Sequence, residues 1–349
     1  MNNTELNLIK TEQLLEADPF KDIYGQTQVK KGLKSILLSG RHLILVGPPG
    51  IGKTTLAKNV ALLLPERIVN NCEYHCNPET PLCPSCRIKK QRGEQIVVKT
   101  INGSERFVRI QGSPDLTVED LLGDIDPVKA LKFGPLSLEA FTPGKIFLAN
   151  QGILFFDEVN RCSEKLQNSL LQVLEEGFAT IGSYKVDLPA NFIFIGTMNP
   201  NDASTEKLSD VFMDRFDILY VGYPESDAIE KKIVIEKSVL LGIELPDPLI
   251  DFIIKFVRDM RESDKLEKKP SVRATIGLYE RAQANAKIAG RKKANFEDVK
   301  DAMISVLSHR IELKPSVKYL QKPEQFVEEE MQKFFEKHQD SLTSSGGDG

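Results

Sequence analysis

Three things are scarce in this chain, and each scarcity removes a class of function. No apolar run approaches the ~18 residues needed to span a bilayer, so no membrane insertion is expected. The start, MNNTELNLIK, is polar and lacks a signal-peptide pattern, which leads to the expectation of a cytoplasmic protein. An excess of one charge is missing as well: 46 Lys and Arg oppose 50 Asp and Glu, a net charge of -4. Nucleic acid is therefore not favoured as a partner on global charge, although local patches stay open. Cysteine is nearly confined to one stretch, with four of the five inside residues 72–86. In a reducing compartment such clustering favours metal over disulfides. No internal repeat is visible. The 349 residues, 41% hydrophobic and 28% charged, suit a soluble globular protein of about two domains.

The most informative stretch is LILVGPPGIGKTT, residues 43–55. Leu43 to Val46 reads as a short buried strand, and it runs into a loop that fits G-x-x-x-x-G-K-[ST]. Glycines are needed there because backbone N–H groups turn inward around a phosphate and a Cβ would obstruct the approach. The contacting set is Gly47, Pro48, Pro49, Gly50, Ile51, Gly52, Lys53, Thr54 and Thr55. Lys53 brings a charge for the outer phosphates and Thr54 a hydroxyl for Mg²⁺. The following LAKNVALLL continues as a helix whose N-terminus faces the anion. The chain is expected to bind a nucleoside triphosphate.

Taken in order, residues 1–21 form a lead-in helix, ended by DIYGQ at 22–26. Tyr24 lies where a segment can pack on adenine, and a plain linker is the alternative. A helix is expected over 26–38, closed by Ser39-Gly40. About a hundred residues then separate Thr54 from Asp157, far more than the ~30 of one β-α-β step. Two insertions account for the surplus. Residues 70–92 place Cys72, Cys76, Cys83 and Cys86 in a C-x₃-C-x₆-C-x₂-C array too poor in aliphatics to bury a core. Zn²⁺ on four thiolates would hold it, as a closed structural site. His75 is an alternative ligand, and reduced thiols or a redox pair are alternative states. Residues 112–150 alternate turn residues with short apolar pieces, as a small hairpin or helix would.

ILFF at 153–156 is the next buried strand and ends in Asp157-Glu158. A helix from Ser163 carries Leu166, Leu170, Leu171 and Leu174 on one face and stops at Gly177. Residues 178–190 read as a β-hairpin, Phe192 to Gly196 as a third strand and 218–222 as a fourth. After Pro224 strand signals cease. Helical spacing of Ile250, Ile253, Ile254 and Val257, and of Phe296, Val299, Met303, Val306 and Leu307, defines a helical domain over 224–312. Residues 313–349 add an amphipathic helix with Val327, Met331 and Phe334 on a face, then a disordered SLTSSGGDG. The nucleotide-binding domain spans 22–223.

An apolar strand ending in two carboxylates, beside a phosphate loop, suggests a division of labour. Asp157 holds the water shell of Mg²⁺ and Glu158 polarises the attacking water. Helix capping is the alternative for such a pair. Asn199, after FIFIGTM, can reach a γ-phosphate or orient water, or be a turn residue before Pro200. Arg215, within MDRFD, offers a planar, permanent charge for transition-state phosphate, or a surface ion pair.

GPPGIGKT, ILFFDE, TMNP, DRF and the later Ser271-Val-Arg273-Ala occur in the order found in AAA+ ATPases. Over residues 18–312 the chain resembles the clade of MoxR proteins and the ATPase subunit of magnesium and cobalt chelatases. FTPGKIFLANQGILFFDEVNR and EEGFATIGSYKVDLPANFIFIGTMNP carry that likeness most strongly, and CEYHCNPETPLCPSC resembles an insertion in some chelatase-type ATPases. The resemblance implies an α/β P-loop core with inserted hairpins and an all-α lid, and ATP with Mg²⁺ as cofactors. It also implies a ring, a homo-hexamer or similar, with ATP between subunits. Arg215 would project into the neighbour's site and Arg273 would contact nucleotide from the lid. Residues 112–150 and 178–190 would be the clade's inserted hairpins, facing a client or packing between subunits. The output implied is remodelling of, or metal insertion into, a partner, including one of the von Willebrand A type. Rival classes are a nucleic-acid motor, a non-hydrolysing ATP-dependent scaffold and a monomeric P-loop kinase.

Overall fold

The computed structural model describes residues 8–135, 137–180, 187–200 and 208–343. The chain divides into two units. The first comprises residues up to Ile23, Thr27–Gly47 and Gly52–Val221; the second comprises Tyr24–Gln26, Pro48–Ile51 and everything from Gly222 onward.

The first unit is built on five parallel strands: β1 (His42–Val46), β2 (Phe107–Gln111), β3 (Ile153–Asp157), β4 (Ile193–Met198) and β5 (Phe216–Tyr220). Their order across the sheet is β5-β1-β4-β3-β2. Strands β1, β3 and β4 are continuous apolar runs because a parallel strand covered on both faces has no solvent side. Register sets their ends level: Val46 lies opposite Met198, and Gly196 opposite Phe156. Phe156 of β3 and Phe194 of β4 stack with ring centroids 5.9 Å apart.

Strand β2 has no counterpart in the sequence reading. It is an edge strand in which Ile110 alone is fully buried, so FVRIQ shows neither an apolar run nor clean alternation. The lead-in is also shorter than expected. Among the described residues only Thr11–Leu15 is helical there, and Pro19 biases Asp18 away from helical geometry. Thr27–Leu38 forms the next helix. The helix Glu164–Glu176 begins after Ser163 and stops at Gly177, whose φ of 68° closes it. Its buried face is Leu166, Gln167, Leu170 and Val173, with Leu171 and Leu174 at the margin.

Both insertions belong to this unit. An antiparallel pair, Arg67–Asn70 with Val98–Ile101, brackets the cysteine segment and its helix Pro84–Gln91. The second insertion pairs Gly123–Ile125 with Phe141–Pro143 around a helix at Pro127–Phe133, preceded by a Thr117-capped turn at Val118–Leu122. The pre-sensor hairpin pairs Phe178–Thr180 with Asp187–Pro189; its expected turn, 181–186, lies outside the described residues.

The second unit is helical: Asp227–Lys237, Asp247–Glu262, Val272–Ile288, Phe296–Leu307 and Pro323–Thr343. Ile250, Ile253, Ile254 and Val257 meet Val299, Met303, Val306 and Leu307 in one core, and Phe326, Val327, Met331 and Phe334 of the closing helix belong to that same core. One departure is a short antiparallel pair, Leu266–Lys268 with Glu312–Leu313. Glu230, on Asp227–Lys237, is fully buried, held by Nη1 and Nη2 of Arg261 at 2.6 and 2.7 Å and by Thr275 Oγ1 at 2.6 Å. The expected disordered tail starts at Ser341, but the closing helix runs on to Thr343; the rest of that expectation, residues 344–349, lies outside the described residues.

Candidate active site and cysteine centre

The phosphate-loop residues leave β1 at Gly47, whose N–H donates to Met198 O at 3.1 Å and so ties the loop to β4. Gly52 has φ 98°, a conformation that a side chain would strain, and it turns the backbone into the helix Lys53–Leu62. That helix has no side-chain cap, an arrangement in which a bound anion can satisfy the first amides. Lys53 Nζ donates to Gly47 O at 2.6 Å, folding the lysine back over the loop. Thr54 follows on the first turn; Thr55 O accepts from Asn59 Nδ2 at 3.0 Å. In the second unit, a Cβ built on Gly50 would meet Ser271 Oγ at 2.7 Å and Arg273 Cδ at 3.1 Å, so the loop tip Pro48–Ile51 lies against the start of Val272–Ile288. The ring of Tyr24 has the ammonium groups of Lys232 and Lys237 over it, at 4.6 and 5.9 Å from its centroid.

The acid pair ends β3. Asp157 Oδ1 accepts from Thr197 Oγ1 at 2.6 Å, and Asp157 Oδ2 pairs with Arg109 Nη2 at 2.6 Å. Glu158 sits at φ 55°, ψ 52°, and its N–H donates to Thr197 Oγ1 at 2.9 Å. Its Oε2 accepts from Gln111 Nε2 at 2.8 Å and pairs with Arg161 Nη1 at 3.1 Å. Gly112 permits this close approach of β2: a Cβ there would lie 2.1 Å from Glu158 O. Asn199, half-buried beyond β4, accepts through its backbone O from Asn160 Nδ2 at 3.5 Å. The sheet thus brings the loop, the acid pair and Asn199 to the carboxyl ends of adjacent strands, where open α/β sheets bind ligands. Thr54 and Asp157 are hard oxygen donors of the kind Mg²⁺ takes.

Arg215 follows the short helix Asp210–Met213. Its Nη2 pairs with Glu175, its Nη1 donates to Val211 O at 2.9 Å, and its buried Nε meets no acceptor among the described residues.

The four sulfurs of Cys72, Cys76, Cys83 and Cys86 all lie within 4.8 Å of one another. His75 is not in the cluster; it occupies a left-handed turn at φ 44°. Backbone amides aim at the sulfurs: Cys76 N to Cys72 Sγ at 3.4 Å, Leu82 N and Cys83 N to Cys76 Sγ at 3.3 and 3.2 Å, Cys86 N to Cys83 Sγ at 3.5 Å. Such donors stabilise thiolate charge. Hydrogen bonds from the Cys76 and Cys83 thiols hold Cys72 far below the usual thiol range, while burial pushes Cys86 up to about 12. Four soft donors at this separation, served by amides, fit a tetrahedral Zn²⁺. The knob is anchored through Tyr74, whose Oη donates to Pro143 O at 2.8 Å on the second insertion.

Arg109, Gln111, Arg161 and Thr197 were not legible as site residues. For Thr197 there was a faint signal, a hydroxyl at the end of an otherwise apolar strand.

A phosphate loop after β1, an acid pair after β3 and an intervening β4 bearing a polar residue define a P-loop ATPase of the AAA class. Family models agree: residues 90–218 match "ATPase family associated with various cellular activities (AAA)", 258–332 match "AAA lid domain" and 19–76 match "Magnesium chelatase, subunit ChlI". The magnesium-chelatase subunit ChlI homolog of Methanocaldococcus jannaschii is 30% identical over 331 residues, 85% of this chain and 86% of the relative. The ChlI subunit of Nostoc sp. is 27% identical over 335 residues, 85% of each. A cryo-EM complex of magnesium-chelatase subunits BchI and BchD contains a chain 21% identical with TM-score 0.47, covering 86% of this chain and 98% of that one. The chain belongs to the ChlI family of AAA ATPases, enzymes that hydrolyse ATP. Among the described residues no helix is long and apolar enough to cross a membrane.

Proposed function

We propose that this ATPase is a chelatase-type motor, working as a ring in which each nucleotide site is completed by the neighbouring subunit. The observation that carries the reading is the Asp157–Glu158 pair, fixed level with the phosphate loop through β4. Lys53 and the loop amides bind the triphosphate, and Tyr24 and Arg273 are the further residues assigned to the nucleotide. Thr54 and Asp157 hold Mg²⁺, which supplies charge neutralisation for the phosphates when bound. Glu158 accepts the proton of the attacking water as the Pγ–O bond to the β-phosphate breaks, and Asn199 orients that water. Arg215, paired with Glu175 within its own chain, is the residue assigned to the neighbour's site.

The output is remodelling of, or metal insertion into, a partner protein, as the relatives' names indicate for magnesium. One observation supports the second insertion as a partner-facing part: Val128 and Leu131 on Pro127–Phe133 are 76% and 91% exposed. The cysteine knob is a structural zinc site, since four protein ligands leave no position for chemistry. Mg²⁺-dependent phosphate release measured across protein concentrations tests the shared-site reading. Specific activity should rise as light scattering reports assembly. Full activity from a species of monomer mass would refute it.

A further inference from the structure

Thr197 is 1% exposed, at the end of the strand that separates the phosphate loop from the acid pair. Its hydroxyl proton is spent on Asp157 Oδ1 at 2.6 Å, and a lone pair of the same oxygen receives the Glu158 N–H at 2.9 Å. One atom therefore bonds the side chain of the first acid and the backbone of the second. Both bonds matter for geometry. Because Oδ1 is committed to Thr197, Oδ2 becomes the outward oxygen of Asp157, the one that Arg109 engages. Glu158 stands in the left-handed region, sparsely populated by side-chain-bearing residues, and such conformations persist when their surroundings over-determine them. The amide bond to Thr197 is one such restraint, and the near contact of Gly112 with Glu158 O is another. A β-branched threonine suits the task because its χ1 is stiff, so the hydroxyl direction is inherited from the strand.

We propose that Thr197 is a positioning residue for hydrolysis, a buried hydroxyl that locks the metal-holding Asp157 to the water-activating Glu158. The inference rests on the roles proposed above for those two acids. It assigns Thr197 no contact with nucleotide. Its effect is transmitted through the angle at which each carboxylate leaves β3. A threonine that merely filled a strand end would affect stability alone.

Thr197→Val keeps the shape and the strand preference while deleting both bonds, and Thr197→Ser restores the hydroxyl. In the full-length protein, the Mg²⁺ concentration that half-saturates binding of a fluorescent ATP analogue should rise roughly 10-fold in Thr197→Val, the usual effect of losing a group that orients a metal ligand. Amide exchange of Glu158 in the metal-free protein should quicken in the same variant, and turnover should fall alongside. Thr197→Ser should stay close to wild type on all three readings. If the valine variant does not fold, Thr197→Ala carries the same measurements. Wild-type Mg²⁺ dependence and amide protection in Thr197→Val, with Asp157→Asn losing Mg²⁺-dependent binding and Glu158→Gln losing turnover, would overturn the role of Thr197 alone. Should Asp157→Asn and Glu158→Gln both behave as wild type, the acid-pair assignment falls, and the inference with it.

Discussion

Replacing Glu158 by Gln separates chemistry from structure more cleanly than any other single change. The amide is nearly isosteric, and its oxygen still accepts the hydrogen bond that Gln111 Nε2 donates at 2.8 Å. What is lost structurally is the ion pair with Arg161, whose two side chains are 35% and 31% exposed. A pair that open to solvent contributes less than about 1 kcal/mol, so the melting temperature should move by only a few degrees. On the role proposed for Glu158, what is lost chemically is the proton acceptor, worth ~10²–10⁴-fold in rate. At 1.36 kcal/mol per factor of ten this is about 3–5 kcal/mol of barrier, well above the structural term. Steady-state phosphate release should therefore collapse while binding of a fluorescent ATP analogue stays near wild type. A decrease in turnover of less than about threefold would remove Glu158 from the reaction, because no general base is worth so little.

Other consequences can be checked directly. Elemental analysis should find about one zinc per chain, and Cys83→Ser or strong chelation should raise proteolytic cleavage within residues 70–92 before the sheet melts; absence of zinc from protein purified without chelator would contradict the site. His42 accepts the Phe194 N–H at 3.1 Å, and desolvation of its ring pushes its pKa down to about 4 from the ordinary 6.5. The neutral ring is the form the fold prefers, so this contribution is complete above pH 6.5 and is lost as pH falls from there towards 4. His42 as a whole residue is half-buried, so the effect is on the order of 2 kcal/mol. Denaturant melts of wild type and His42→Gln at pH 7.5 and 4.5 should show the steeper acid loss in wild type, and parallel losses would refute it.

The parts of the fold that were legible in the sequence are those where one residue type has one physical use. Gly52 and Lys53 announced the loop because only a glycine tolerates φ 98° and only a lysine reaches back over it. The strands LILV, ILFF and FIFIG were readable because burial on both faces demands unbroken apolar runs. The cysteines were readable as a cluster because nothing else in residues 70–92 could hold a core. Strand β2 was hidden because an edge strand needs little burial, and with it went Arg109 and Gln111, which reach the acid pair only through register. Thr197 was hidden because a hydroxyl at a strand end is common, and its importance follows from two partners nearly forty residues away. For Arg215 the sequence left a surface ion pair and a role in phosphate chemistry both open, and its contact with Glu175 is compatible with either.

Mixing two inactive variants tests the shared site most directly. Lys53→Ala disables a subunit's own phosphate loop and leaves its Arg215 intact, whereas Arg215→Ala does the reverse. In a head-to-tail ring assembled at equal amounts, about a quarter of the interfaces pair an intact loop with an intact arginine. Mixed in that ratio, two proteins that are each silent should regain phosphate release approaching that fraction of wild type. No recovery at any ratio, from variants that fold and assemble together, would contradict a nucleotide site shared between subunits.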